Sequence, residues 1–124
     1  MQRFQPEGFI SPTVPLSHGV RAGDLLFISG QIATSPDGAP LIGDFAAEVN
    51  GALDNLEAVL GAAGATMQQV AKVSAFLSNA VLFAPFNEIY SKRFGKASPA
   101  RTTLVVSFGH PDVRVEIDAI AYLG

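Results

Sequence analysis

From Phe45 to Ala63 the apolar positions Phe45, Val49, Leu53, Leu56, Leu60 and Ala63 recur at helical spacing, and Glu48, Asp54 and Glu57 fall off that stripe. Asp44 stands where an N-cap belongs, and Gly64 where a helix stops. A second helix is predicted to carry Phe86, Ile89, Tyr90 and Phe94. Pro85 suits its first turn, Glu88 and Lys92 pair four apart in the favourable order, and Gly95 ends it. The apolar run "VAKVSAFL" between the helices reads as a strand. Ahead of the first helix, "HGVRAGDLLFISGQI" reads as two short strands around the turn Ala22-Gly23-Asp24, the second fully buried judging by Leu25 to Ile28. "ATSPDGAPLIGD" is a loop with a turn at Pro36-Asp37-Gly38, and the first dozen residues, broken by Pro and Gly, are expected to be irregular. The closing stretch reads as two strands joined across Gly109-His110-Pro111-Asp112.

The order is therefore β-β-α-β-α-β-β, one domain over residues 1–124, and an α+β layer sandwich with two helices on one face of a mixed sheet is its natural solution. Composition narrows the possibilities. Only 15% of the 124 residues are charged against 48% apolar, so part of the surface is expected to be hidden between subunits. Absence of cysteine excludes disulfides, thiolate chemistry and Cys-based metal sites. His18 and His110 lack ligand spacing, so no metal site is expected. A net charge of −3 without a basic run disfavours nucleic acid as a partner. No apolar stretch approaches the roughly 20 residues of a membrane span, and "MQRFQPEGFISP" lacks the apolar region of a signal peptide. A soluble cytoplasmic protein is expected.

Two residues in "PARTTLVVSFGHPDVRVEIDAIAYL" do not suit a plain pair of core strands. Arg101 opens one strand and Glu116 sits between Val115 and Ile117 on the other. In an antiparallel hairpin opposed residue numbers sum to a constant. Centring the turn between His110 and Pro111, or placing Arg101 opposite Glu116, gives an odd constant either way. Without a bulge, the expectation is one shared face for Arg101, Glu116 and Thr103. An ion pair, two solvated strand ends and a binding site all fit that placement. The site reading has a specific chemistry, with a rigid guanidinium fork for a substrate carboxylate and a carboxylate nearby to hold a water. Gly30, inside a strand, marks either a bulge or a close approach of ligand to backbone.

"RAGDLLFISGQI", "NLEAVLGAAGATMQQVAKVSAFL", "FNEIYSKRFG", "PAR" and "VEIDAIA", in this order and spacing, resemble the RidA/YjgF family of reactive-intermediate deaminases over about Ser17 to Leu123. The resemblance implies a chorismate-mutase-like fold and a homotrimer with sites between subunits. It also implies hydrolysis of 2-imino or enamine acids to 2-keto acids and ammonia without metal or cofactor. By the same resemblance Arg101 of "PAR" binds the substrate carboxylate and Glu116 of "VEI" positions the attacking water. Ser29, Gly30 and Thr103 form pocket backbone, and Asn87 is the helix asparagine. Leu16 stands where many members carry a Tyr that reaches the pocket, and "FGHPD" replaces the usual Leu-Pro-Lys loop. Such a pocket could suit a larger enamine of the 2-aminomuconate or aminoacrylate type. A non-catalytic trimer that binds small carboxylates is the competing class, and RNA cleavage is disfavoured by the acidic balance.

Overall fold

The computed structural model describes residues 1–11 and 13–124. Its elements are β1 (Gln2–Phe4), β2 (Gly19–Ala22), β3 (Leu25–Gln31), α1 (Phe45–Ala62), β4 (Val70–Leu77), α2 (Phe83–Phe94), β5 (Ala100–Val105) and β6 (Val115–Tyr122), with short 3-10 turns leading into β4 and α2. The six strands form one mixed sheet in the order β1-β2-β3-β6-β4-β5. This is an α+β architecture with both helices on one sheet face. No helix of the described residues is long and apolar enough to cross a membrane.

Local chemistry explains most boundaries. The Asp44 carboxylate accepts the Ala47 amide at 2.7 Å, satisfying an amide that the first helical turn leaves unpaired. Gly64, at φ +75, closes α1, and the Ala65 amide returns to the Leu60 carbonyl at 2.8 Å. Gly23, at φ +60, makes the tight turn between β2 and β3. Val49, Leu53, Leu56 and Leu60 are fully buried against the sheet, each contributing about 1.5–3 kcal/mol of hydrophobic stabilisation. From α2 come Phe86, Tyr90 and Phe94, which join the same core as Val73 and Ala75.

Tertiary pairing overturns three expectations. Gln2–Phe4 is a strand, paired antiparallel with β2, where irregular chain was expected. β3 is not buried on both sides, because it alternates, with Leu25 40% and Phe27 43% exposed. Glu48, which falls off the apolar stripe of α1, is nevertheless only 4% exposed and accepts from Arg114 Nε at 2.9 Å. Most consequentially, the last two strands are not a hairpin. α2 returns the chain to the same end of the sheet, so β5 runs parallel to β4 along its outer edge. β6 enters between β3 and β4, antiparallel to both.

Candidate active site

Opposed residues in a sheet share a face, so the two ladders on β4 place the key residues. Arg101 opposes Val73, and Val73 opposes Ala119, so Arg101 lies on the helix-covered face. Glu116 opposes Phe76 on the other face. The expectation of a shared face is therefore wrong. It treated β5 and β6 as direct neighbours, whereas β4 lies between them. An ion pair within one chain is excluded with it.

The structure builds two half-sites instead. The first surrounds Glu116. β3 bulges between Ile28 and Gln31, where two residues, Ser29 and Gly30, face one on β6. A Cβ on Gly30 would lie 2.8 Å from the carboxyl carbon of Glu116, so a larger residue would displace that carboxylate. The bulge reading of Gly30 thus holds, and the neighbour its bare backbone admits is the Glu116 carboxylate. Burial, and after it the like charge of Asp118 on the same face, raises the Glu116 pKa above the usual carboxylate value. The Ser29 hydroxyl donates to the Ser17 carbonyl at 2.5 Å, and its amide donates to the His18 carbonyl at 2.9 Å. These two bonds dock the Leu16–His18 segment beside Gly30, so that Leu16 and Gly30 line one cavity of about 830 Å³.

The second half-site surrounds Arg101. Its Nη2 donates to Asn87 Oδ1 at 2.6 Å, and its guanidinium carbon sits 4.7 Å from the Tyr90 ring centroid and 5.4 Å from that of Phe86. Three side chains from one turn of α2 thus fix the fork in plane and direction. The bond to Asn87 uses one of five guanidinium donors and leaves others for an anion. Thr103 stands two residues along the same face, its hydroxyl buried with no partner among the described residues. The Tyr90 hydroxyl is likewise buried and unpartnered, and burial pushes its pKa up to about 12 while Arg101 pulls the other way.

Arg101 is therefore bonded to Asn87 with Thr103 on the same face, and Gly30 links the other residues, meeting the Glu116 carboxylate and also lining the cavity that contains Leu16. The chain does not join the two groups. Tyr90 and Phe86 were read as core residues only. Their spacing of four residues, with Asn87 between them, is the available signal for a shelf under a cation.

The model of the family described as endoribonuclease L-PSP matches residues 8–123. A RutC family protein of Pyrococcus horikoshii is 40% identical over 112 residues, covering 90% of this chain and 89% of that protein. This chain belongs to the RidA/YjgF family. Among solved structures, RidA from an Antarctic Psychrobacter is 28% identical with a TM-score of 0.90, the match covering 98% of this chain and 99% of that one. Escherichia coli TdcF, crystallised with bound serine, is 28% identical with a TM-score of 0.91, and the match covers all of both chains.

Proposed function

We propose that this RidA/YjgF protein hydrolyses 2-imino acids and their enamine tautomers to 2-keto acids and ammonia, in clefts formed where two chains of a homotrimer meet. The observation that carries the reading is the pair of half-sites. Arg101 is a preset cation with free donors, and Glu116 is a half-buried carboxylate of raised pKa beside bare backbone. Each lacks what the other supplies. The uncovered sheet face that holds Glu116 also exposes Leu25, Phe27, Leu104 (50%) and Tyr122 (54%), an apolar surface suited to subunit contact.

In this reading Arg101 of one subunit takes the substrate carboxylate bidentately, its plane held by Asn87 and Tyr90. Glu116 of the next subunit accepts a proton from water as the oxygen adds to the iminium carbon. Glu116 then gives that proton to the nitrogen of the resulting carbinolamine. The carbon–nitrogen bond breaks and ammonia leaves, while the added hydroxyl becomes the carbonyl and passes its remaining proton to Glu116. In this reading the iminium carbon is already electrophilic and Arg101 and Glu116 supply binding and proton transfer, so neither metal nor organic cofactor takes part. The serine bound to TdcF is a small amino acid with a free carboxylate, the kind of group the proposed Arg101 site would hold.

A pure carboxylate binder would use Arg101 equally well; the raised pKa of Glu116 favours chemistry over binding. RNA cleavage is less well supported, since a net charge of −3 opposes a polyanion. The decisive experiment generates 2-iminopropanoate with an amino-acid oxidase and follows its decay with and without protein. Accelerated decay and stoichiometric ammonia are expected. Decay at the blank rate would leave the binding reading.

A further inference from the structure

The cavity beside Gly30 has a chemistry of its own. Its volume of about 830 Å³ falls in the range of pockets that enclose whole small molecules, far more than the methyl group of 2-iminopropanoate requires. One wall is the N-terminal segment, with Phe9, Ile10, Val14 and Leu16 turned to the space; the other is the 32–40 loop. That loop is stiffened by Asn55, whose Nδ2 donates to the Ile32 carbonyl at 2.8 Å and to the Thr34 hydroxyl at 3.0 Å.

Two pairs of polar side chains in the lining are engaged with one another, Asn55 with Thr34 and Gln31 with His18. Gln31 is buried, and its Nε2 donates to the Ser29 carbonyl at 3.0 Å and meets His18 Nδ1 at 3.2 Å. Because Nε2 is the donor, His18 Nδ1 must accept, and the imidazole is the neutral tautomer protonated on Nε2. Burial lowers the His18 pKa, which acts in the same direction. The Phe9 ring packs edge-on against His18 at 5.1 Å. Among the described residues, the charged ones in the lining are Glu7 and Asp37, both acidic, and neither Lys nor Arg lines it.

We propose that this cavity is the substrate side-chain subsite, that it selects 2-imino acids with bulky apolar or aromatic side chains, and that it rejects a second carboxylate. The inference rests on the deaminase reading above. With the carboxylate on Arg101 and the reacting carbon at Glu116, the remaining substituent leaves past Gly30 into this space. There it meets aliphatic and aromatic surface. A distal carboxylate would meet the like charges of Glu7 and Asp37, with no cation among the described lining residues to receive it. Dicarboxylic enamines of the 2-aminomuconate type are thereby disfavoured.

Imines made by oxidase from alanine, leucine, phenylalanine and glutamate test the inference directly. The leucine- and phenylalanine-derived imines should exceed the alanine-derived one in kcat/KM by about 10-fold or more, the selectivity expected of added methylenes in an apolar pocket. The glutamate-derived imine should be poorest. Val14→Trp, at a 57% exposed position, fills the cavity without touching the core, and the leucine-to-alanine ratio should fall at least about 10-fold. Calorimetry with 4-methyl-2-oxopentanoate and 2-oxoglutarate gives the same ranking without turnover, the first binding more tightly. A preference for the alanine-derived imine that Val14→Trp leaves intact would overturn the subsite and leave the deaminase standing. Failure to hydrolyse any of the four would overturn both.

Discussion

Arg101 and Glu116 lie on opposite faces of one sheet, with β4 between the strands that carry them. A ligand of a few carbon atoms cannot touch both side chains of one chain, so a site that uses both must draw them from two. Refolding an equal mixture of Arg101→Ala and Glu116→Gln chains should then restore activity that neither has alone. In randomly assembled trimers about one quarter of the inter-chain sites carry both intact residues. Activity near that fraction of wild type is expected, together with a light-scattering mass of about three chains. No complementation would mean that one chain supplies the whole site.

The Arg101 fork should matter more than its charge. Arg101→Lys keeps the cation but loses bidentate contact, the Asn87 bond and the flat stacking on Tyr90. Turnover of 2-iminopropanoate should fall by roughly 100-fold or more while the oligomer survives, because Arg101 is only half-buried. Asn87→Ala removes one charge-assisted hydrogen bond and should cost about 1.5–3 kcal/mol in carboxylate binding.

Tyr90 offers a sharper contrast. Its hydroxyl has no partner among the described residues, whereas its ring supports the guanidinium. Tyr90→Phe should therefore keep both fold and keto-acid affinity. Tyr90→Leu should weaken keto-acid binding by about 0.5–2 kcal/mol, the span of a cation–π contact, as read by calorimetry.

Glu116 is expected to trade stability for chemistry. Its pKa is raised in the folded state, so the native protein holds that proton more tightly than the unfolded chain does. Stability from this group therefore falls as pH rises from the unfolded value of about 4.3 through the raised folded value. Glu116→Gln should unfold at higher temperature than wild type at neutral pH, and the advantage should vanish below about pH 4. In the same variant kcat should drop roughly 10²–10⁴-fold while keto-acid binding persists. A lower melting temperature at neutral pH would instead mark Glu116 as a structural partner.

Glu48 and Arg114 should behave asymmetrically. Arg114 donates to Glu48 and to the Gly43 carbonyl, joining the start of β6 to the entry of α1. Glu48 is 4% exposed, whereas the Arg114 side chain is 37% exposed and can reach water. Arg114→Ala strands a buried carboxylate and should cost about 2–3 kcal/mol in a urea titration, less than a fully buried pair would. Glu48→Gln should cost less.

Features set by residues a few positions apart were legible without coordinates. The Asp44 cap, the Leu53–Leu56–Leu60 stripe, the Gly23 and Gly38 turns and the full span of β4 depend on backbone sterics and local periodicity, which the sequence contains outright. The identity of Arg101, Glu116 and Gly30 as departures from a plain strand was legible for the same reason. Which face each occupies was not. A hairpin register assumes that chain neighbours are sheet neighbours, but a parallel strand after a helical crossover and a last strand filling the gap between β3 and β4 broke that assumption. Strand order is chosen by burial of whole surfaces across the sheet. It is a non-local energy, so tertiary structure alone could set Arg101 against α2, Glu116 against Gly30, and Glu48 inside the protein.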